Sequence, residues 1–549
     1  MLKENFVGMI ENSIKQNWDL PGLSNFNGKT LTYGEIADRI TFLHELFKNL
    51  NIKPGDKIAL LGKNSANWGV AYLATVTYGA VVVPILTDFH ANDIHHIVNH
   101  SDAKILFVME NTFTELDTVK MKKLNTILAI ENYELLFSRA NKAKEKLANC
   151  KNSYLEKYQG DLNSKNFKCK EISNGSLEGI VYTSGTTGFS KGVMLTHNNL
   201  AANIVFAKEH MGLVAGDTIL SFLPVAHSFG CAFEFLFPFC TGCHITFLGR
   251  IPSPTIILKA FGKIKPNLIL SVPLVLEKIY NNKIKRAMDS FPTNMLLKTP
   301  LIKKLIHKKI RNKLVDSFGG EFNEFVIGGA PLNDAVEDFL KTIKFPFTIG
   351  YGMTECAPLI SYINWKDHKK NSVGISVDTL EYKIDSTDPY NVVGELLVKG
   401  ENVMTGYYKQ EKITAETIDE NGWLHTGDLA LTDNDGFIYI KGRKKTMLLG
   451  PSGQNIYPEE IEAKLSNLNY IEEAIVVKRE EKLVALVYPD YDRLDLKKVE
   501  ENDLEKIMKK NRDKINKLLP AFSKISKIQI YPEEFEKTPK KSIKRYMYK

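Results

Sequence analysis

Between residues 57 and 108 short apolar runs alternate with helical stretches, and this alternation constrains the fold more than any other feature. KIALL (57–61) reads as a strand, WGVAYLATVTYGA (68–80) as a buried helix and VVVPI (81–85) as a strand. DIHHIVNH (93–100) then reads as a helix and AKILFV (103–108) as the next strand. Apolar strands separated by helices predict parallel βαβ units with helices on both faces of a sheet, an α/β fold. The pattern returns at GIVYT (179–183), followed by a glycine-rich loop and a helix from about Thr196, whose hydroxyl suits an N-cap. Further strands are expected at TILSFL (218–223), HITFL (244–248), NLILSV (267–272) and EFVIGG (324–329).

The chain is 549 residues long, too long for one ordinary core. After residue 390 the texture shifts to VVGELLVKG, GFIYIKG and glycine-rich turns, which predicts a small β-barrel-like subdomain. KGRKKTMLLGPSGQN (441–455) reads as a junction. Beyond it EEIEAKL, EEAIVVKR, KLVALVYP and a lysine-rich helical run predict a compact α+β unit. The expected division is therefore an N-terminal domain over residues 1–443 and a small, mobile C-terminal domain over 444–549.

Charge narrows the partners. Lys and Arg total 72 against 64 acidic residues, a dispersed net charge of +8 that suits small acidic ligands or an anionic membrane surface and argues against nucleic acid. Residues 277–313 concentrate basic side chains at helical spacing; the plain reading is a pair of solvated surface helices, the sharper one a face toward a membrane or an anionic ligand. No stretch is apolar for long enough to span a bilayer, and the charged N-terminus does not read as a signal peptide. Six cysteines make no disulfide framework, and Cys240 and Cys243, flanked by apolar residues, read as buried thiols rather than a metal or redox pair. These features predict a cytoplasmic protein, with peripheral contact at the inner face of the membrane compatible with the basic stretch. The oligomeric state is not legible.

The segment Tyr182-Thr183-Ser184-Gly185-Thr186-Thr187-Gly188-Phe189-Ser190-Lys191-Gly192-Val193 carries the chemistry. An apolar strand runs into hydroxyl residues and glycines and ends on a lysine. Glycine lets the backbone approach an anion, hydroxyl and N–H groups donate to phosphate oxygens, and Lys191 adds positive charge. It is not the Walker pattern, because Gly188 stands three residues before Lys191 and Gly192 follows the lysine.

This loop resembles the signature of the AMP-forming acyl-CoA synthetase, luciferase and peptide-synthetase adenylation superfamily. Further segments agree in kind and order, from about Leu31 to Arg545. Leu223-Pro224-Val225-Ala226-His227-Ser228-Phe229-Gly230 resembles the element whose histidine lies beside the acyl carboxylate. Gly328-Gly329-Ala330-Pro331-Leu332 is similar to the stretch bordering the adenine. Gly350-Tyr351-Gly352-Met353-Thr354-Glu355 resembles the element in which the tyrosine flanks adenine, the threonine bonds the α-phosphate and the glutamate ligates Mg²⁺. Asp428, in Trp423-Leu424-His425-Thr426-Gly427-Asp428, resembles the aspartate that holds the ribose hydroxyls, and Arg443 the arginine that supports it. Val272 to Tyr280 and the 453–462 segment are most similar to long-chain fatty acyl-CoA synthetases.

The resemblance implies ATP-dependent activation of a fatty acid to an acyl-adenylate, then transfer to coenzyme A, with Mg²⁺ as cofactor. It implies a hinge at Lys445 and places Gly450 and Gly453 on the loop that meets pantetheine. One departure stands at the C-terminus, Lys537-Thr538-Pro539-Lys540-Lys541-Ser542-Ile543-Lys544-Arg545: aligned on Ile543 and Arg545, Ser542 occupies the position where the family carries its catalytic lysine. Lys541, one residue earlier, is the expected substitute. Two rivals share the fold: a synthetase that loads an acyl carrier protein, and a non-catalytic acyl or nucleotide binder.

Overall fold

The computed structural model describes the chain apart from residues 1, 140–142, 159–160, 184–189, 251–253, 281–283, 285–298, 450–453, 481, 492–493, 496–500, 539–542 and 549. The expected βαβ alternation builds an eight-stranded sheet. Its strands lie side by side as Gly406–Tyr407, Lys191–Thr196, Leu177–Thr183, Val81–Ile85, Lys57–Leu61, Ala103–Val108, Thr126–Ala129 and Leu135–Ser138. The strands from 177–183 through 126–129 are parallel, and antiparallel strands close both edges. The helix Ala66–Tyr78, buried almost all round, starts at a Ser65 cap and stops at Gly79 with φ +86°. A helix without a polar face has to sit between layers, and Gly69 in it packs against Leu23 of a second sheet.

That second sheet sets Thr218–Ser221, His244–Phe247 and Pro21–Asn25 in parallel, with Thr30–Thr32 antiparallel at the edge. A third joins Leu268–Ser271, Glu324–Ile327 and Phe347–Ile349 in parallel. The change of texture near residue 390 corresponds to antiparallel structure: Leu380–Asp385, Gly394–Gly400, Leu424–Thr432 and Ile438–Arg443 form a four-stranded sheet. It curls onto Tyr351–Gly352, Leu359–Tyr362 and Ile375–Ser376 through a bridge between Ile375 and Phe437.

From residue 448 onward the chain packs into hydrophobic clusters of its own. The strands Ile471–Arg479, Lys482–Pro489 and Ile525–Ile530 form one sheet, flanked by the helices Pro458–Leu465 and Glu501–Asn516. The protein is thus a mixed α/β molecule with a large N-terminal body of sheets and a smaller C-terminal unit.

All six cysteines are buried and unbridged, and burial pushes the thiols of Cys240 and Cys243 up to about 12, so both are inert. Part of the basic stretch forms the helices Pro273–Ile279 and Pro300–Ser317; most of the segment between them lies outside the described residues. Among the described residues no helix is long and apolar enough to cross a membrane.

Candidate active site

Strand Leu177–Thr183 ends where the hydroxyl-rich loop begins, and the chain returns antiparallel as Lys191–Thr196, with Thr183 paired to Lys191. Sequence reading runs the loop straight into a helix. The intervening strand adds a hairpin, and helix His197–His210 follows it with Thr196 and Asn199 in a reciprocal capping pair. Ser184, Gly185, Thr186, Thr187 and Gly188 lie outside the described residues.

The Lys191 ammonium rests 4.7 Å from the ring centre of Tyr407, a cation–π distance. The Tyr407 hydroxyl donates to Glu355 Oε1 at 2.9 Å. Glu355 and Thr354 share the single turn Thr354–Cys356, fixed by Met404 N–H donating to the Glu355 carbonyl at 2.8 Å. Gly352 enters this turn with no space for a side chain, since a Cβ would stand 2.1 Å from the Pro358 carbonyl oxygen. Burial holds the Lys191 pKa below the usual lysine value, repulsion from Lys445 adds to this, and Glu355 and Glu416 oppose it.

A second cluster forms around Asp428, which is 3% exposed. The pairing of Leu424–Thr432 with Ile438–Arg443 sets Asp428 opposite Arg443. Arg443 Nε donates to Asp428 Oδ1 at 2.9 Å, and the Tyr351 hydroxyl donates to Oδ2 at 2.5 Å. Burial raises the Asp428 carboxyl; Arg443 and the Tyr351 bond pull it back. The turn before it uses Gly427 at φ +72°, whose N–H donates to Glu395 Oε1 at 3.1 Å. Glu395 also takes Lys444 at 2.8 Å.

Two strand ends connect the clusters to the rest of the site. Gly329, at φ +85°, and Ala330 are exposed just beyond Glu324–Ile327, and Gly350 N–H donates to the Ile327 carbonyl, so both stand beside the Tyr351 segment. Gly328 carries the Phe229 ring against it, where a Cβ would approach to 3.0 Å. His227 is half-buried and its Nδ1 accepts from Phe229 N–H at 3.3 Å, which places the proton of the neutral ring on Nε2. The next residue, Ser228, donates to Thr354 Oγ1 at 3.5 Å, tying the histidine segment to the Thr354 turn.

Glu355 acts electrostatically on Lys191, Asp428 and Arg443 alike, so the two clusters share one site. Lys541 lies outside the described residues. Arg545 pairs with Glu462 within the C-terminal unit. Sequence reasoning missed Tyr407 and Glu395; the one signal for Tyr407 was an aromatic pair after Gly406, and for Glu395 there was none. A cleft of about 590 Å³ lined by Arg39, Phe42, Asn67 and Tyr133 holds none of these residues and lies outside the site.

A two-part α/β fold in which Lys191 and Glu355 meet on Tyr407 and Asp428 meets Arg443 and Tyr351 fits the class of adenylate-forming enzymes. Residues 10–408 match the AMP-binding enzyme family and residues 446–548 match its C-terminal domain, and the chain belongs to this family. It is 28% identical over 487 residues to a long-chain-fatty-acid–CoA ligase of Escherichia coli, covering 84% of this chain and 80% of the relative. It is 26% identical over 565 residues to long-chain-fatty-acid–CoA ligase 5 of Rattus norvegicus, covering 92% and 80%. The fold matches the anthranilate CoA ligase AuaEII bound to anthranoyl-AMP with a TM-score of 0.80 at 18% identity, covering 100% of this chain and 97% of that one. It also matches O-succinylbenzoate coenzyme A synthetase of Bacillus subtilis with AMP, with a TM-score of 0.76 at 20% identity and 98% coverage of each.

Proposed function

We propose that this protein activates a long-chain fatty acid with ATP and transfers the acyl group to coenzyme A. The observation that carries the reading is the convergence of Lys191, Thr354 and Glu355 with Tyr351, Asp428 and Arg443, six residues from four separate segments. The names of relatives matching over four-fifths or more of this chain support the long-chain acid and the acceptor.

A carboxylate is a poor acylating agent because its leaving group would be an oxide ion. In the proposed first step a carboxylate oxygen attacks the α-phosphorus of ATP, the bond to the bridging oxygen breaks, and pyrophosphate leaves with the electron pair. The obstacle is repulsion between anions, so fixed positive charge and donors must face the transferring phosphate. Lys191 supplies the charge, and Thr354 with Thr183 and the loop Ser184, Gly185, Thr186, Thr187 and Gly188 supplies donors. His227, protonated at Nε2, faces the acid. Asp428 and Arg443 hold the ribose, and Tyr351, Gly329, Ala330 and Gly352 border the base. In the second step the coenzyme A thiolate attacks the acyl carbon and AMP departs.

Glu355 fits Mg²⁺: it is a half-buried carboxylate whose side chain accepts one hydrogen bond, from Tyr407, among the described residues. A hard cation there would add positive charge against the phosphates. Residue 443 is our proposed domain boundary, Lys445 the hinge, and Lys541 the lysine that serves adenylation from the C-terminal unit. Peripheral contact with an anionic membrane is supported by helix Pro300–Ser317, where Leu301 and Leu305 are 79% and 68% exposed among Lys304, Lys308 and Lys309.

The test is AMP and pyrophosphate release against straight-chain acids from acetate to stearate, with and without coenzyme A. Turnover rising toward the long acids and dependent on coenzyme A is expected. Turnover confined to short or aromatic acids rejects the substrate, and acyl transfer only to a carrier protein rejects the acceptor.

A further inference from the structure

Glu234 is fully buried, yet no step above uses it. It sits in a π-helical turn, Cys231–Leu236, that follows His227 by four residues. One of its oxygens, Oε2, accepts from two consecutive backbone N–H groups, Phe222 at 3.0 Å and Leu223 at 2.9 Å. These residues open the segment 222–227, which leaves strand Thr218–Ser221 and joins no sheet among the described residues.

A second side chain grips the same segment from outside. Asn64 Nδ2 donates to the Leu223 carbonyl at 2.6 Å, and Val225 N–H donates to Asn64 Oδ1 at 3.1 Å. The segment then closes on itself, His227 N–H donating to the Pro224 carbonyl at 2.9 Å and Cys231 N–H to the His227 carbonyl at 2.9 Å. Gly230 lies so near that a Cβ would stand 2.5 Å from the Pro224 oxygen. Among the described residues, the amides of Phe222 and Leu223 therefore end on Glu234, and Leu223 and Val225 are held by Asn64.

We propose that Glu234 is a positioning residue for adenylation: its carboxyl oxygen, taking the amides of Phe222 and Leu223, sets the path of the segment that presents His227 to the acyl carboxylate. The proposal rests on the function given above and adds to it a residue that touches neither substrate nor nucleotide. A buried acid whose oxygen pins two amides is costly to remove, because each orphaned N–H loses its partner in a dry interior. The π-turn explains why a glutamate reaches: one extra residue per turn swings position 234 toward the strand end instead of along the helix face. Burial drives the Glu234 pKa well above the usual carboxylate value, with the amides and Ser221 opposing it.

The full-length protein is assayed by acid-dependent ATP–pyrophosphate exchange, with thermal melting recorded for each variant. Glu234→Gln keeps an oxygen acceptor of the same reach and is expected within about threefold of wild-type kcat, whereas Glu234→Leu is expected to lose about tenfold or more in kcat with little change in the KM for ATP. In a His227→Ala background Glu234→Leu is expected to add almost nothing, since residues acting as one unit are non-additive. A folded Glu234→Leu protein with wild-type kcat overturns the inference, as does a fully additive cycle or a Glu234→Gln protein as impaired as Glu234→Leu. An unaffected His227→Ala protein overturns it too. Absence of exchange in the wild type with every acid is a different failure, that of the proposed activity.

Discussion

The two ends of the site are built on opposite electrostatic plans. At the proposed ribose end Asp428 is buried and paired, with Arg443 on one oxygen and Tyr351 on the other. At the proposed phosphate end Lys191 leans on the face of Tyr407, and Glu355, which acts on it electrostatically, takes the hydroxyl of the same Tyr407. The lesson is a division of labour. The end proposed to bind is a closed network of complementary groups, and the end proposed to stabilise developing charge leaves its lysine without a carboxylate partner among the described residues.

The largest expected difference between the ends is in rate. Lys191→Ala is expected to lower acid-dependent AMP formation by about 10²–10³-fold at saturating ATP, the range typical of one lost transition-state donor. Asp428→Asn is expected to act on binding: loss of a charged hydrogen-bond acceptor, worth about 1.5–3 kcal/mol, raises the KM for ATP by about tenfold or more and spares kcat. Steady-state kinetics on both variants separate the plans. If both substitutions fall on kcat alone, or both on KM alone, the distinction between the ends collapses.

A smaller effect sharpens the phosphate end. Burial and the like charge of Lys445 hold the Lys191 pKa below the ordinary lysine value. Its charged form is therefore lost as pH rises through that lowered value, giving an alkaline limb in kcat/KM. Lys445→Ala removes one source of the depression, so the limb is expected to move to higher pH. A limb that stays in place assigns it to another group.

The smallest effect uses a control for Asp428, a buried acid with no cation beside it among the described residues. Glu178 is buried, accepts from Tyr72 at 2.5 Å, and burial raises its pKa to about 8. Between the ordinary glutamate value of about 4.3 and about 8 the folded protein keeps a proton that the unfolded chain releases, so stability falls as pH rises through that window and levels off above it. Glu178→Gln cannot ionise and is expected to melt higher than wild type at alkaline pH while losing that advantage at acid pH. Parallel melting curves for the two proteins across the range would contradict the shift.

What was legible in the sequence was local. Strand 57–61, strand 81–85 and strand 103–108 lie where their apolar runs put them, because burial on both faces leaves a pattern within a few residues. Thr196 caps its helix as its side chain foretold. The ordered motifs located Asp428, Arg443, Tyr351 and Glu355 because each stands in a distinctive short segment. Tyr407 had no such mark: its partners are 52 residues away at Glu355 and across a strand pairing at Lys191, and only the fold brings them together. The strand Lys191–Thr196 was missed for a related reason, since its alternation is short and its partner, Leu177–Thr183, lies across the loop. Glu234 was invisible because a glutamate in an apolar run gives no sign of the amides it will meet.

The most direct measurement is ATP–pyrophosphate exchange with a long-chain fatty acid, Mg²⁺ and no coenzyme A. The expected result is exchange that requires the acid, yields AMP rather than ADP when coenzyme A is added, and falls by about 10²–10³-fold in Lys191→Ala. Exchange that ignores the acid, or cleavage of ATP to ADP, would contradict it.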